Sequence, residues 1–176
     1  AAIEANGFEI RYEKPPIINT NAEMIIFDET NYDRLVPGTF EEVRKKVEEG
    51  TLAVFNFAEK MPATELLPVI IKSIETEQES NIKFDVGIFD NLNSLKITKR
   101  YIIEPKKDST TIAKDEKSNP IIIYKKEGKG IVVYNGLANE YLENSPEYPL
   151  FWRAITRLAG KEKRENMYKT GEVIKL

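Results

Sequence analysis

Residues 22–57, AEMIIFDETNYDRLVPGTFEEVRKKVEEGTLAVFNF, decide the fold. Met24-Ile25-Ile26-Phe27 is a short apolar run closed by Asp28-Glu29, and continuous rather than alternating apolarity predicts a strand covered on both faces, as in a parallel sheet. Thr39-Phe40-Glu41-Glu42 has the form of a capping box, with the Thr39 hydroxyl accepting from the Glu42 amide and the Glu42 carboxylate from the Thr39 amide. Phe40, Val43 and Val47 then share one helix face, and Gly50 supplies the stop. Leu52-Ala53-Val54-Phe55 follows as a second buried strand. Strand, helix, strand over 32 residues, Met24 to Phe55, makes a βαβ unit, for which about 30 residues is usual.

On the N-terminal side, Phe8-Glu9-Ile10-Arg11-Tyr12 alternates as a strand does, and Pro15-Pro16 ends it. Ala1 to Gly7 reads as the last turns of a helix closed by Asn6-Gly7, which predicts that the segment is excised from a longer protein. A short capping helix at a true chain start is the alternative. On the C-terminal side, Leu66, Leu67, Ile70 and Ile71 give Pro62–Ile74 a helical stripe, interrupted by Pro68. Ile82, Phe84, Val86 and Ile88 alternate with polar residues, and Leu95–Ile97 and Tyr101–Ile103 predict two short strands. Pro120–Tyr124 and Ile131–Tyr134, joined across Glu127-Gly128-Lys129-Gly130, predict a β-hairpin. Ser145-Pro146 opens a helix with Leu150, Phe151, Ala154, Ile155 and Leu158 as its apolar face, closed by Gly160. Lys169–Glu172 reads as a turn before a last strand at Val173-Ile174. The sum is one α/β domain over residues 1–176, parallel first and antiparallel later.

Composition removes whole classes of chemistry. The 176 residues contain no cysteine and no histidine. A thiolate nucleophile, a redox pair, a thiolate zinc site, an imidazole base and a histidine metal ligand are all absent. Lys plus Arg number 26 against 29 Asp plus Glu, a formal charge of −3. That balance gives no basic face for nucleic acid. Apolar residues at 41% against 31% charged are the mixture of a folded domain rather than a disordered one, and no apolar run approaches the roughly 20 residues of a membrane helix.

Carboxylate, lysine and tyrosine chemistry, and oxygen ligation of a hard cation, remain open. Asp28 and Glu29 stand at the carboxyl end of a parallel strand, where open α/β sheets bind ligands, and Asn56 ends the next strand. Asp28, Glu29 and Asn56 are the candidate site, although adjacent residues in extended chain point to opposite faces and most acids at a strand end are simply solvated. Asp85, Asp90, Asn91 and Asn93 are rich in oxygen but do not match a twelve-residue calcium loop. Gly128-Lys129-Gly130 lacks the phosphate-loop pattern and joins two strands, so it reads as a hairpin turn. Trp152, Phe151, Tyr148 and Tyr141 read first as packing of the late helix on the sheet. Lys161, Lys163 and Arg164, diluted by Glu162 and Glu165, read as a solvated face.

The stretches IEANGFEI, AEMIIFDE and FEEVRKKVEEGTLAVFNF, with NPIIIYKKEGKGIVVYNG, LENSPEYPLFWRAITRLAG and NMYKTGEVIKL further on, resemble the class I glutamine amidotransferase-like domain. The nearer resemblance is to its non-catalytic version in membrane-anchored BatA-type, aerotolerance-related proteins with a von Willebrand factor A domain. The resemblance implies a flavodoxin-like or glutamine amidotransferase-like three-layer sandwich with a mainly parallel sheet and an antiparallel C-terminal portion. In catalytic relatives a cysteine follows the strand matching Leu52–Phe55; here Asn56-Phe57 stands there and the partner histidine is missing, which excludes that chemistry. The von Willebrand metal motif Asp-x-Ser-x-Ser is also absent from the chain. The implied function is a non-enzymatic protein-interaction or structural module of a larger membrane-associated protein. It would have protein partners in a membrane-associated assembly, no nucleic-acid partner and no cofactor. It would lie on the extracytoplasmic side of its membrane, with the cytoplasm as the alternative. The competing reading is carboxylate-based binding or hydrolysis of a small ligand or sugar at the strand ends around Asp28 and Glu29.

Overall fold

The computed structural model describes residues 2–92, 95–138, 143 and 145–161, with residue 77 by its backbone alone. Its elements in chain order are β1 (Met24–Phe27), α1 (Thr39–Glu49), β2 (Leu52–Asn56), β3 (Val69–Phe84), β4 (Lys96–Pro105), β5 (Ser109–Asp115), β6 (Pro120–Glu127), β7 (Gly130–Asn135) and α2 (Tyr148–Leu158). Among the described residues the strands form one sheet in the order β1-β2-β7-β6-β5-β3-β4.

The βαβ unit forms as its sequence dictates. β1 and β2 pair in parallel, Met24 opposite Leu52 and Phe27 opposite Phe55, and β2 pairs in parallel with β7. All five residues of β2 are buried. Alternate residues serve opposite faces: Ala53 and Phe55 pack with Val43 and Val47 of α1, while Leu52 and Val54 pack with Phe151, Trp152 and Ile155 of α2. The two helices therefore cover opposite faces of this part of the sheet. Phe151 and Trp152 are core residues, as their position in the late helix predicts.

The mainly parallel sandwich, flavodoxin-like or glutamine amidotransferase-like, is not what the chain builds. β1–β2 and β2–β7 are parallel, whereas β7–β6, β6–β5, β5–β3 and β3–β4 are all antiparallel. The correction originates in Pro62–Ile74, expected as a helix. From Val69 this chain enters a 16-residue strand. Pro68 cannot sit inside a helix without breaking its ladder, and Val69, Ile70, Ile71, Ile74 and Thr76 are β-branched and stiff at χ1. The apparent stripe instead divides, Leu66 and Leu67 being buried in the loop before the strand. The two short strands expected at Leu95–Ile97 and Tyr101–Ile103 are one, β4, and polar Ser109–Asp115, without an alternating signal, forms β5 between β6 and β3.

Local corrections have similar causes. Phe8–Tyr12 is irregular, since alternation without a neighbouring strand supplies no ladder. The helical opening survives as one 3-10 turn, Glu4–Asn6, closed by left-handed Gly7. Thr39 is the first residue of α1, not its cap; Gly38 caps it at φ 86°. The Thr39 hydroxyl donates to the Val36 carbonyl at 2.7 Å, and the Glu42 carboxylate accepts from the Thr20 hydroxyl at 2.6 Å. The box residues are thus spent on tying neighbouring loops to the helix. α2 begins at Tyr148, two residues beyond Ser145-Pro146, and the Ser145 hydroxyl accepts from the Glu147 amide at 3.1 Å. The turn at Lys169–Glu172, the strand at Val173-Ile174, and Asn93, Tyr141, Glu162, Lys163, Arg164 and Glu165 lie outside the described residues.

The antiparallel half is fastened by one buried carboxylate. The Asp115 side chain is fully buried at the end of β5, where it accepts from the Lys117 and Asn119 amides at 2.9 and 2.8 Å and from the Asn119 side chain at 2.8 Å. Arg100 of β4 lies 3.5 Å from it and 2.5 Å from Glu75 of β3. Burial by itself would raise the Asp115 carboxyl, but the hydrogen bonds from Asn119, the Arg100 charge and the Lys117 amide outweigh it and hold the group below the usual carboxylate value. A group depressed in this way stabilises the fold fully above its unfolded value of about 3.9 and loses that contribution as pH falls through the folded value. Asp115→Asn keeps the acceptor toward the two amides but turns a donor toward Arg100. We expect it to destabilise by about 2 kcal/mol at neutral pH and to flatten the acid limb of the stability profile, as read by urea denaturation at a series of pH values.

Glycines at the hairpin supply a second test. A Cβ on Gly130 would stand 2.3 Å from the carbonyl oxygens of both Thr51 and Val47, backbone atoms that cannot yield, whereas one on Gly38 would meet nothing within 4 Å. Gly130→Ala is expected to cost about 3 kcal/mol by overpacking, and Gly38→Ala about 1 kcal/mol through its left-handed φ alone. Thermal or urea unfolding of the two variants, compared with the parent chain, measures the difference.

Candidate functional site

Each of the three parallel strands ends in an aromatic residue followed by Asp or Asn: Phe27-Asp28, Phe55-Asn56 and Tyr134-Asn135. The register places these pairs side by side, Phe27 opposite Phe55, Phe55 opposite Tyr134, and Asn56 opposite Asn135. The aromatic row turns toward α1. Phe27 stacks on Phe55 at 4.7 Å between ring centroids and 15° between planes, with Phe40 of the helix 5.8 and 6.1 Å from the two rings. One residue further on, alternation turns the polar row to the opposite face, that of α2.

The polar row is a directed chain of hydrogen bonds. The Leu137 amide donates to Asn135 Oδ1 at 3.2 Å, Asn135 Nδ2 donates to Asn56 Oδ1 at 3.0 Å, and Asn56 Nδ2 donates to Asp28 Oδ1 at 3.3 Å. Because a backbone N–H can only donate, it fixes the sense of the first amide, that amide the second, and the second presents a donor to the carboxylate. Asn56 and Asn135 are 2% and 0% exposed, whereas Asp28 is exposed. The outcome is a solvent-facing carboxylate whose orientation is set from the interior.

The structure joins Asp28 to Asn56, as their positions on adjacent strands suggest, but leaves Glu29 out. Glu29 is exposed and takes a left-handed φ of 46°, so the chain turns away after Asp28. Asn135 is the member that strand-end reasoning passed over. Its signal was available as the repeated aromatic–Asp/Asn ending, which becomes a constellation only when β7 is known to be the neighbour of β2.

Several tyrosines have raised phenol pKa values. Burial raises the Tyr32 phenol well above its ordinary value, with the charge of Asp28 and neighbouring Tyr101 adding to the effect, and its hydroxyl is buried without a hydrogen-bond partner. Tyr148, the first residue of α2, is raised by partial burial and further by the charges of Glu143 and Asp28 and by Tyr12, against a lowering contact with Trp152. Tyr101 is raised by burial and by Glu59, and its hydroxyl lies 2.8 Å from the carbonyl oxygens of both Ala58 and Glu59.

Other candidate groups have structural assignments. Asp85 pairs with Lys114 at 3.1 Å, and among the described residues no group of three or more carboxylates is arranged to hold a metal ion. Gly128-Lys129-Gly130 is the β6–β7 turn. A cleft of about 490 Å³ opens at the start of α1 between Tyr32, Val36, Phe40, Arg44 and Thr64, and Asp28 does not line it.

A mixed α/β domain with a polar row across its parallel strand ends is the class these features define. The chain belongs to the family described as a domain of unknown function, DUF7408, which matches residues 5–155. No curated protein matches it. Among solved structures it is similar to the cytoplasmic protein STM3548 of Salmonella typhimurium, at 11% identity and a TM-score of 0.59, over 90% of this chain and 74% of that one. It is similar to the cytoplasmic protein STM1381 of Salmonella typhimurium LT2, at 13% identity and 0.57, over 81% and 72%. It is also similar to part of a cold-adapted β-galactosidase from Rahnella sp. R3, at 15% identity and 0.54, over 81% of this chain but 22% of the enzyme. At these identities the likeness is one of fold.

These findings correct expectations drawn from the family resemblance. The non-enzymatic interaction module rested on the chain's opening, the family resemblance and a missing thiolate and imidazole, but the fold recurs as part of a β-galactosidase. The missing cysteine and histidine therefore do not by themselves make this fold a non-enzymatic one. The extracytoplasmic, membrane-anchored placement is overturned as well. The two Salmonella proteins of similar fold are described as cytoplasmic.

The row itself is testable without a ligand. Asn56→Leu strands the Asn135 amide donor in the interior and removes the donor to Asp28, and is expected to destabilise by about 2 kcal/mol in urea denaturation. Asp28→Ala, at an exposed position, should cost well under 1 kcal/mol.

Proposed function

We propose that the chain binds a small polyhydroxylated ligand, a sugar, at the carboxyl ends of its parallel strands, with Asp28 as the principal hydrogen-bond acceptor. The observation that carries this reading is the chain from Leu137 through Asn135 and Asn56 to Asp28. Two fully buried amides in series are expensive to desolvate unless each is satisfied, and here their joint effect is to orient one exposed carboxylate. A carboxylate held by an interior donor accepts ligand hydroxyls without the entropy loss of ordering a mobile side chain. The partial match to a β-galactosidase supports a saccharide over other small ligands. The cytoplasmic Salmonella proteins of similar fold support a cytoplasmic setting.

Hydrolysis is the second reading, favoured by one observation: Tyr148 lies in the field of two carboxylates, Asp28 and Glu143. Glycoside cleavage commonly uses a pair of carboxyl groups flanking the bond. Asp28 and Glu29, consecutive and turned apart, do not form such a pair.

Saturation-transfer NMR and calorimetry with galactose, lactose and mannose test binding. Asp28→Ala is expected to weaken it about 10- to 100-fold, the effect of losing a charge-assisted hydrogen bond of about 1.5–3 kcal/mol. Equal affinity in parent and variant would overturn the reading. Release of nitrophenol from the corresponding nitrophenyl glycosides, abolished by Asp28→Asn or Glu143→Gln, would establish hydrolysis.

A further inference from the structure

Asparagine followed by glycine is the pair in which a side-chain amide is most open to attack by its own backbone, because the glycine nitrogen has no flanking side chain to shield it. The chain holds two such pairs, Asn6-Gly7 and Asn135-Gly136. Both are imposed by the fold. Gly7 closes the 3-10 turn at a left-handed φ of 82°, and a Cβ on Gly136 would stand 2.4 Å from the Ile121 carbonyl oxygen. Asn135 belongs to the polar row, and Asn6 Nδ2 donates to the Ala2 carbonyl at 2.9 Å and to the Pro149 carbonyl, in the first turn of α2, at 3.1 Å.

Their protection differs. Asn135 is 0% exposed at the end of β7, its side chain bonded to Leu137 and Asn56, and the Gly136 amide donates to the Ile121 carbonyl at 2.9 Å. Freeing these groups requires β7 to leave the centre of the sheet, which amounts to global unfolding. Asn6 is half-buried and Gly7 exposed, in a turn outside the sheet, where the Gly7 amide is held by its bond to the Glu4 carbonyl at 2.9 Å. One 3-10 turn opens at a fraction of the cost of unfolding the domain, and its opening frees the side chain and the nitrogen together.

We propose that Asn6 is a site of spontaneous deamidation in the folded chain, and that the reaction releases the turn from α2. In the opened turn the Gly7 nitrogen attacks Asn6 Cγ. The new C–N bond closes a cyclic imide, the bond from Cγ to Nδ2 breaks, and Nδ2 leaves as ammonia with the Gly7 proton. Water then opens the ring at either carbonyl, giving an aspartate or an isoaspartate. The product replaces an amide donor with a carboxylate that only accepts. Set against the Ala2 and Pro149 carbonyl oxygens, it bonds to neither, and the side-chain tie between the turn and the start of α2 is lost.

The test incubates the full chain under native conditions and in denaturing urea, and follows each pair by peptide mass spectrometry. Asn6 is expected to convert at least about 10-fold faster than Asn135 in the folded chain, a gap of about 1.4 kcal/mol between the two openings. In urea both are bare Asn-Gly pairs and should react at similar rates. The native rate at Asn6 should rise with pH, because the attacking nitrogen must lose its proton. Asn6→Asp installs the product charge directly, and its Gly7 amide is expected to exchange with deuterium about 5-fold faster than in the parent chain, the effect of losing one hydrogen bond. An Asn6 that stays intact in the folded chain while the urea sample reacts, or equal conversion of Asn6 and Asn135 in the folded chain, overturns the site. Unchanged Gly7 exchange in Asn6→Asp overturns the release.

Discussion

The structure depends on β7, which is hydrogen-bonded in opposite senses along its two edges. Toward β2 it is parallel, toward β6 antiparallel, and all six of its residues are buried. A strand buried on both faces and paired on both edges leaves little freedom of register, because a slip of one residue would exchange the two cores. Val132 and Tyr134 serve the α1 core while Ile131 and Val133 serve the α2 core. The hairpin that delivers β7 is seated under the end of α1 by the absence of a side chain at Gly130, which leaves room for the Val47 and Thr51 carbonyls. Everything beyond β7 is antiparallel because each following neighbour meets it from that junction.

The candidate site is a consequence of the same junction. Stacked Phe27 and Phe55 hold β1 and β2 in register one residue before their polar endings, and β7 brings Asn135 level with Asn56. The amides are then too close to one another, and too deeply buried, to be satisfied by bulk water. Each must find its partner sideways along the row. The row has an orientation because its inner end is a backbone N–H and its outer end is an anion. Asp28 is the sole exposed member of that row.

A second polar device works toward the opposite edge of the sheet, at the end of β5, with the opposite outcome. Asp115 is closed in by Lys117, Asn119 and Arg100, and its role is to fasten the β5–β6 turn to the β3–β4 ribbon. Both devices centre on an aspartate at a strand end. One is buried with its acceptor sites committed to the protein, and the other faces solvent, which is why the first is read as structural and the second as functional.

The sequence by itself determined the local pieces. Unbroken apolar runs at Met24–Phe27 and Leu52–Phe55, a helical stripe closed by Gly50, and two β-branched runs joined through a glycine turn each encode one element whatever surrounds them. The missing cysteine and histidine excluded thiolate and imidazole chemistry on the same local basis. Where neighbours set the outcome, local reading failed. Leu66, Leu67, Ile70 and Ile71 have helical spacing, yet Val69 onward is a strand because β4 and β5 offer it a ladder; Phe8–Tyr12 alternates, yet has no ladder to join. Thr39 and Glu42 carry a capping signature, but Val36 and Thr20 claim them. Asp28 and Asn56 were legible as strand ends, while Asn135 lay 79 residues from Asn56 in the chain and joined them only through the β2–β7 pairing. Hydrogen-bond partners and sheet order are set by which apolar faces find each other, and that is decided by the whole chain at once.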